Sequence, residues 1–433
     1  MEHEYKIPAS GFLIPDFKEQ AEQLAYTQGM PGIRIQYLRG TVWGLTKEQI
    51  KTRIVEGVNA HSGQPMMREM ITKLTAPLTT AEKDMSARKM DVGPETYTDT
   101  EENLHKLFLE KRYTDFLPVV LPTKERVDAM LDQTSHDPNE VLGKMNPGSV
   151  AGEDWTYTIR HAAIAAVMAG AKPEYLPVIL AIGSTGSSSV NISDNGFSAA
   201  AVVNGKIRDE IGLNYDIGAI GPYAHANTAI GRAWNLLSIN GGNCGKVGTT
   251  YMGTVGNTGN FVNAIIAENE ENSPWVPLSV RRGFKKDENI ITLYSGWGIL
   301  SARNWKITDW SATPNYAKTV QDIYRLQNPG LFGTFVVLSP PIADFIAESG
   351  YDTLEKLNEF VLTPDPNAPK PKAGGPGGPG GGAPKAGGAP KPKVAPNATT
   401  GDFSVVVTGA RNNNYWMIGG MGPGRTIQID PWR

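Results

Sequence analysis

Residues 199–205 read AAAVVNG: three alanines and two valines, closed by an asparagine and a glycine. An unbroken apolar run of this length, bounded by turn residues, suits a strand buried on both faces. Its reading decides the fold, because the segments around it are of the other kind. Residues 226–241, ANTAIGRAWNLLSING, space their apolar side chains as a helix does, and residues 289–298, NIITLYSGWG, return to a strand. Upstream, residues 172–183 (KPEYLPVILAIG) predict a helix with Pro177 in its first turn. Residues 154–170 (DWTYTIRHAAIAAVMAG) predict another, capped by Asp154 and ended by Gly170, and residues 123–133 (TKERVDAMLDQ) a third, capped by Thr123. Tyr157, His161, Ile164 and Met168 then share one helical stripe. Strands and helices alternate without a clean repeat. The expected fold class is α/β or α+β, with mixed sheets flanked by helices.

Four regions follow along the chain. Residues 1–112 read as a truncated α/β module: a helix over 16–29, a strand over 32–38 (GIRIQYL) and a helix over 45–57. Thr46 caps that last helix, Gln49 completes the capping box and Gly57 stops it. A further helix in 63–84 ends near Pro77. Residues 113–362 form the main α/β domain. Residues 363–401 are almost entirely Pro, Gly, Ala and Lys, a composition that buries no core and predicts a disordered tether. Residues 402–433 carry two strand-like runs, FSVVV (403–407) and TIQI (426–429). Thirty-odd residues are too few for an independent domain. This strand pair is expected to return and complete a sheet of earlier residues, or of another subunit.

The chain has 433 residues, 40% hydrophobic and 20% charged, enough for a core without disulfides. Its single cysteine, Cys244, excludes an intrachain disulfide and a cysteine-cluster metal site, and points to a reducing, cytoplasmic setting. A net charge of −3 argues against a nucleic-acid footprint. The first residues lack a signal-peptide pattern, and the longest apolar run is far too short for a membrane span. The expected partner is a small-molecule substrate or a second protein.

The candidate chemistry starts at IIAENEENSPW, residues 265–275, where Glu268, Glu270 and Glu271 crowd into four positions. Read as the end of a helix, the segment has Phe261, Val262, Ile265 and Ile266 on its apolar side. Asn269 falls near the middle of that side, Glu268 and Glu270 on its borders, and Glu271 towards water. Acidic groups at a helix C-terminus oppose the dipole, so the stretch is either a shielded polar network or a catalytic pair. The glycine-rich run 240–260 brings Asn240, Gly241, Gly242 and Lys246 forward as ligand-lining residues, or as an irregular connection. It is no phosphate loop: Asn240 and Val247 replace the glycine and the Ser/Thr such a loop requires. Within it Cys244 is either a nucleophile assisted by Lys246 or a small buried hydrophobe. His225 precedes the 226–241 helix, with Asn227 as cap and Arg232 further on, an arrangement able to meet an anion. His161 reads as a satisfied core residue. No histidine pair has metal-helix spacing, and no cofactor follows from the residues.

Several stretches together resemble a family, the UGSC-motif (seleno)proteins. TIRHAAIAAVMAGAKPEYLPVILA, VVNGKIRDEIGLN, GPYAHANTAIGRAWNLL and AENEENSPW resemble its large domain. GMPGIRIQYLRGTVWGLTKEQ and SGQPMMREMITKLTAPLTTAE resemble the latter part of its smaller module, and VVVTG fits as well. The resemblance covers most of 18–362 and 402–433. The family motif, Cys- or Sec-Gly-Ser-Cys, has no counterpart here. Ala171 stands where the pattern has cysteine, and a histidine is missing near Ser279. The resemblance therefore implies a hetero-oligomeric enzyme subunit acting on a small molecule by reductive or carbon–heteroatom-cleaving chemistry. A partner subunit would supply the Cys-Gly-Ser-Cys-type motif. The alternatives are a non-catalytic scaffold, or a self-sufficient hydratase or lyase using Glu268 and His225.

Overall fold

The computed structural model describes residues 5, 7–27, 32–42, 44–83, 96–147, 154–190, 196–253, 255–302, 315–326, 334–363, 403–412, 416–422 and 424–433. The tether expected at 363–401 lies outside the described residues, apart from Thr363. The chain divides into two compact units. One comprises residues 1–97 with 150–153 and 246–252; the other comprises 98–149, 154–245 and 253–433. Among the described residues no helix is long and apolar enough to cross a membrane.

In the smaller unit, strand β1 (Gly11–Leu13) pairs in parallel with β2 (Ile35–Tyr37), and helix α1 (Lys18–Thr27) lies between them in sequence. Helix α2 (Lys47–Ile50) opens with the expected capping box. The Gln49 amide donates to Thr46 Oγ1 at 3.3 Å, and the Thr46 amide donates to Gln49 Oε1 at 2.9 Å. Helix α3 (Met66–Thr75) ends at Ala76, where Arg34 satisfies its last carbonyls by donating to Lys73 O and Ala76 O. The same guanidinium grips Glu82 at 2.6 and 2.9 Å and holds its carboxyl down to a pKa of about 2.

The larger unit is built on one mixed sheet. Its strands are β5 (Ser198–Asn204), β6 (Ala264–Ala267), β7 (Ile290–Ala302), β8 (Thr334–Leu338), β9 (Phe403–Val407), β10 (Trp416–Met421) and β11 (Arg425–Gln428). The order is β6-β5-β7-β10-β8-β9, with β11 also on β7. β5–β6 and β8–β9 are parallel pairs; the others are antiparallel. Every residue of β5 is buried, as its apolar run requires. The C-terminal residues return to their own chain's sheet. FSVVV pairs with β8 and TIQI with β7, while β10 enters the sheet centre between β7 and β8.

The sheet curls until its two edges meet. Alternate residues of its strands point to one interior: Ala200 and Val202, Ile266, Tyr294, Phe335 and Val337, Val406 and Met421 pack as a single cluster closed by Leu278. The β6 edge is tied to the β9 edge: the Asn269 backbone amide donates to Val407 O at 2.7 Å, and Thr408 Oγ1 donates to Ala267 O at 2.8 Å. Outside β8 and β9 lie helices of residues 316–326, 340–348 and 354–362, around Val336, Leu338, Val405 and Val407.

Two readings of the 154–170 region are corrected. Trp155–Thr158 is strand β4, antiparallel to β3 (Val141–Met145), so Asp154 caps nothing. Alternating β-branched and aromatic residues favour the extended form. The helix begins at Ile159, with the Thr158 amide donating to His161 Nδ1 at 3.1 Å. Tyr157 leaves the helical stripe and donates its hydroxyl to Gly183 O at 2.6 Å. His161 is half-buried, satisfied by Thr158 rather than placed in the core, and burial lowers its pKa.

Candidate functional site

The acidic stretch is not a helix end. Residues 264–267 form strand β6, and only Glu270–Asn272 make a single 3-10 turn. A four-residue apolar run satisfies both periodicities; burial against β5 decides for the strand. In extended backbone Ile266 and Glu268 share a face, and the register Val203↔Ala267 sets Asn204 beside Glu268. Glu268 is thereby directed into the mouth of the curled sheet, where it is 1% exposed.

A charge so buried is costly unless bonded. Oε2 of Glu268 accepts from Asn204 Nδ2 at 2.5 Å and from the Leu278 amide at 2.8 Å, and Oε1 lies 3.7 Å from the Arg281 guanidinium. Burial still raises the Glu268 pKa, although Arg281, Asn204 and the Leu278 amide pull the other way. Arg281 is lowered by its own burial, with Glu268 opposing. Glu270 accepts from Asn204 Nδ2 at 3.0 Å and from the Gly205 amide at 2.9 Å, with Arg208 at 3.4 Å. Arg208 also donates to Glu268 O and pairs with Glu271 at 2.9 Å. That pairing lowers the Glu271 pKa. Arg208 lies 4.9 Å from the centre of the Tyr215 ring, whose hydroxyl donates to Asp209 at 2.6 Å. That bond, with burial, pushes the Tyr215 pKa up to about 12.

Asn269 faces the other side of this network. Its Nδ2 donates to Tyr215 O at 3.3 Å and Gly409 O at 3.1 Å, and its Oδ1 accepts from Asn272. It lines a cleft of about 320 Å³ with Tyr215, Asp216, Asn272, Gly409 and Arg411. Arg411 is paired with Asp344. Polar and charged residues thus line a hollow that includes Asn269, the residue between the two buried glutamates. A larger cleft, about 500 Å³, lies elsewhere in the same unit, lined by Asp132, Glu174, Glu210, Ile207 and Arg433 among others. It touches none of the sequence candidates. The smaller cleft is the better candidate because, among the described residues, it includes Asn269 from the stretch where Glu268, Asn269 and Glu270 converge. Among the described residues no three His, Cys, Asp or Glu side chains gather as a metal-ligand set.

The remaining candidates are dispersed. His225 is the first residue of the helix His225–Asn240, exposed, with Nδ1 3.1 Å from the Tyr175 hydroxyl. Asn227 is not the cap; it lies inside the helix and donates to Ile265 O at 3.0 Å. Arg232 faces no anion at the N-terminus but forms a bidentate pair with Asp115 at 2.9 and 3.0 Å. Asn240 donates to Tyr113 O. Gly241 and Gly242 are buried where the helix end abuts β3 and β4. A Cβ on Gly242 would meet Met145 Sδ at 2.3 Å, and one on Gly241 would meet Leu237 O at 3.0 Å. These glycines permit close packing, and no ligand needs to be invoked for them. Cys244 is 0% exposed, its thiol donating to Gly242 O at 3.4 Å, as the small-hydrophobe reading expected. Lys246 is exposed, and its carbonyl closes the turn to Tyr251.

The residues that complete the network escaped the sequence reading. Asn204 passed for a mere turn residue, and Arg208 lay in a segment given no role. A polar residue ending a wholly buried strand was the available signal, since such a group demands a partner. Compared with known proteins, the chain matches no family model, no curated protein and no solved structure.

Proposed function

We propose that this chain is the ligand-holding subunit of a cytoplasmic hetero-oligomeric enzyme whose reactive thiol or selenol resides on a partner polypeptide. One observation carries the reading: Glu268 and Glu270 are buried and engaged with Asn204, Gly205, Leu278 and Arg208, while their neighbour Asn269 lines a polar cleft. The stretch supplies a shaped hollow and keeps its carboxylates behind it. The UGSC-type resemblance supports a partner carrying the Cys-Gly-Ser-Cys motif and a reductive or carbon–heteroatom-cleaving reaction. An acid/base pair of Glu268 with His225 has no such support, since the two share no hydrogen-bonding partner. The scaffold alternative draws on the same structural engagement of the glutamates.

In the assembled complex, Glu268→Gln should leave kcat within about twofold, because an engaged structural carboxylate moves no proton. General acid–base roles are worth about 100-fold or more. A loss of that size in a variant that still folds and assembles would refute the reading. Asn272→Ala, at the cleft, should raise KM and leave assembly intact; unchanged kinetics there would favour the scaffold alternative.

A further inference from the structure

After β11 the chain makes one 3-10 turn, Asp430–Trp432, and lays it against a histidine far away in sequence. The Trp432 indole is buried, and its Nε1 has no hydrogen-bond partner among the described residues. What it has is a stacked ring: the His136 imidazole lies nearly parallel to it, 5.0 Å between centres and 26° between planes. The imidazole is also bonded at each nitrogen. Nδ1 is 2.9 Å from Glu140 Oε2, and Nε2 is 2.9 Å from Pro431 O. Beside it, Ser135 donates its amide at 3.2 Å and its hydroxyl at 2.9 Å to Arg433 O. The Arg433 guanidinium pairs with Glu210 and lies 3.2 Å from Asp430.

Both partners of the His136 ring are acceptors. A carboxylate oxygen and a carbonyl oxygen offer lone pairs and no proton, whereas a neutral imidazole has one N–H and one lone pair. Neutral His136 would therefore set a lone pair against an oxygen at one end. Only the imidazolium donates at both ends, and a cation is also favoured against the face of an indole. In keeping with this, the His136 pKa is raised above 6.5: burial opposes the charge, and the Pro431 carbonyl and the Glu140 carboxylate outweigh it. Other charged groups stand on the elements packed here. They are Asp137 on the same loop, Arg160 where its amide meets Pro138 O, Asp430 and Arg433 on the docked turn, and Glu210 beyond them. Their signs are mixed, and among the described residues only Glu140 bonds the ring from a charged side chain.

We propose that His136 is a pH-sensitive latch: protonated, it pins residues 430–433 against the loop of residues 132–140, and deprotonated, it gives up one of its two bonds and lets the turn loosen. The turn matters because Arg433 forms part of the wall of the 500 Å³ cleft. Its partner Glu210 lines the same cleft, as do Asp132, Glu174 and Ser135. As the turn loosens, the guanidinium leaves Glu210 more often, and the cleft becomes wider and more negative. The sign follows from linkage. A proton held more firmly in the folded chain favours the closed latch fully below 6.5, and that contribution is lost as pH rises through the folded value.

Hydrogen–deuterium exchange of the full-length chain tests this, read from about pH 5.5 to about pH 8.5 and corrected for the intrinsic pH dependence of exchange. The amides of Ser135, Trp432 and Arg433 should lose about tenfold of their protection over that range, and the helix His225–Asn240 none. His136→Phe keeps a ring against Trp432 and removes both bonds, so its exchange at these amides should not vary with pH. Glu140→Gln should keep the switch and move its midpoint down towards 6.5. Protection in the parent that is equal at both ends of the range overturns the inference, as does an unchanged pH dependence in His136→Phe. If that variant does not fold, an NMR titration of the parent with isotope-labelled histidine decides. A His136 midpoint above 6.5 that coincides with the loss of Ser135 protection supports the latch, and any other midpoint overturns it.

Discussion

At the scale of single residues, the titration of Glu268 is the sharpest consequence of the structure. Its folded pKa is raised above 4.5, first by burial, so the native state holds that proton more firmly than the unfolded chain does. The contribution favours the fold below pH 4.5 and is lost as pH rises through the folded value. Glu268→Gln keeps the acceptor facing Asn204 and Leu278 and removes the buried charge. Its stability at pH 5 should therefore stay within about 1 kcal/mol of the parent, and it should gain on the parent as pH rises. Glu268→Ala instead leaves the Leu278 amide without its acceptor, deprives Asn204 and Arg281 of one carboxylate and opens a buried space, and should cost about 3 kcal/mol or more. Urea titrations at several pH values read both; equal losses for Gln and Ala at every pH would contradict the assignment. Glu82 has the opposite sign. Held at about 2 by Arg34, it stabilises the smaller unit above pH 4.5 and ceases to do so as pH falls towards 2. Arg34→Met should abolish that acid sensitivity and also loosen the end of α3, an effect readable by circular dichroism during acid titration.

At the scale of elements, the edge tie depends on one hydroxyl and one amide. Thr408→Val removes the donor to Ala267 O and leaves that carbonyl buried without it, at a cost of about 1–2 kcal/mol. The Asn269 amide should then exchange with deuterium about tenfold faster, whereas protection unchanged at Asn269 would mean that the edges do not depend on this contact. Much of the element plan was legible from sequence because its signals were long or unambiguous. The run 199–205 read as a buried strand, the 225–240 helix had four turns of periodicity, and Thr46 and Gln49 announced a cap that the structure contains. The misreadings share a physical cause: short runs in which helix and strand periods coincide. IIA at 265–267 offered three apolar positions, and WTYT at 155–158 adjoined a true helix that lent it a false start. In the first case the deciding term was the partner strand β5, sixty residues away, which no local pattern contains. The same holds for the site. Glu268 and Glu270 could be singled out as unusual, but their engagement by Asn204, Arg208 and the Leu278 amide is a product of register and burial.

At the scale of the whole molecule, a sheet closed by its own C-terminal strands brings an acidic stretch, a polar cleft and the tail together in one unit. Its glutamates hold structure, its cysteine is buried, and its arginines at positions 208, 232, 281 and 411 are paired. That division of labour is what a binding subunit requires when the reactive group arrives on another chain. Native mass spectrometry of the gently purified complex, with each component identified by its sequence, tests this most directly. The account predicts a catalytically active particle whose mass exceeds whole multiples of 46.8 kDa by that of a second polypeptide bearing a Cys- or Sec-Gly-Ser-Cys motif. A particle of whole multiples of 46.8 kDa alone, with undiminished turnover, would contradict it.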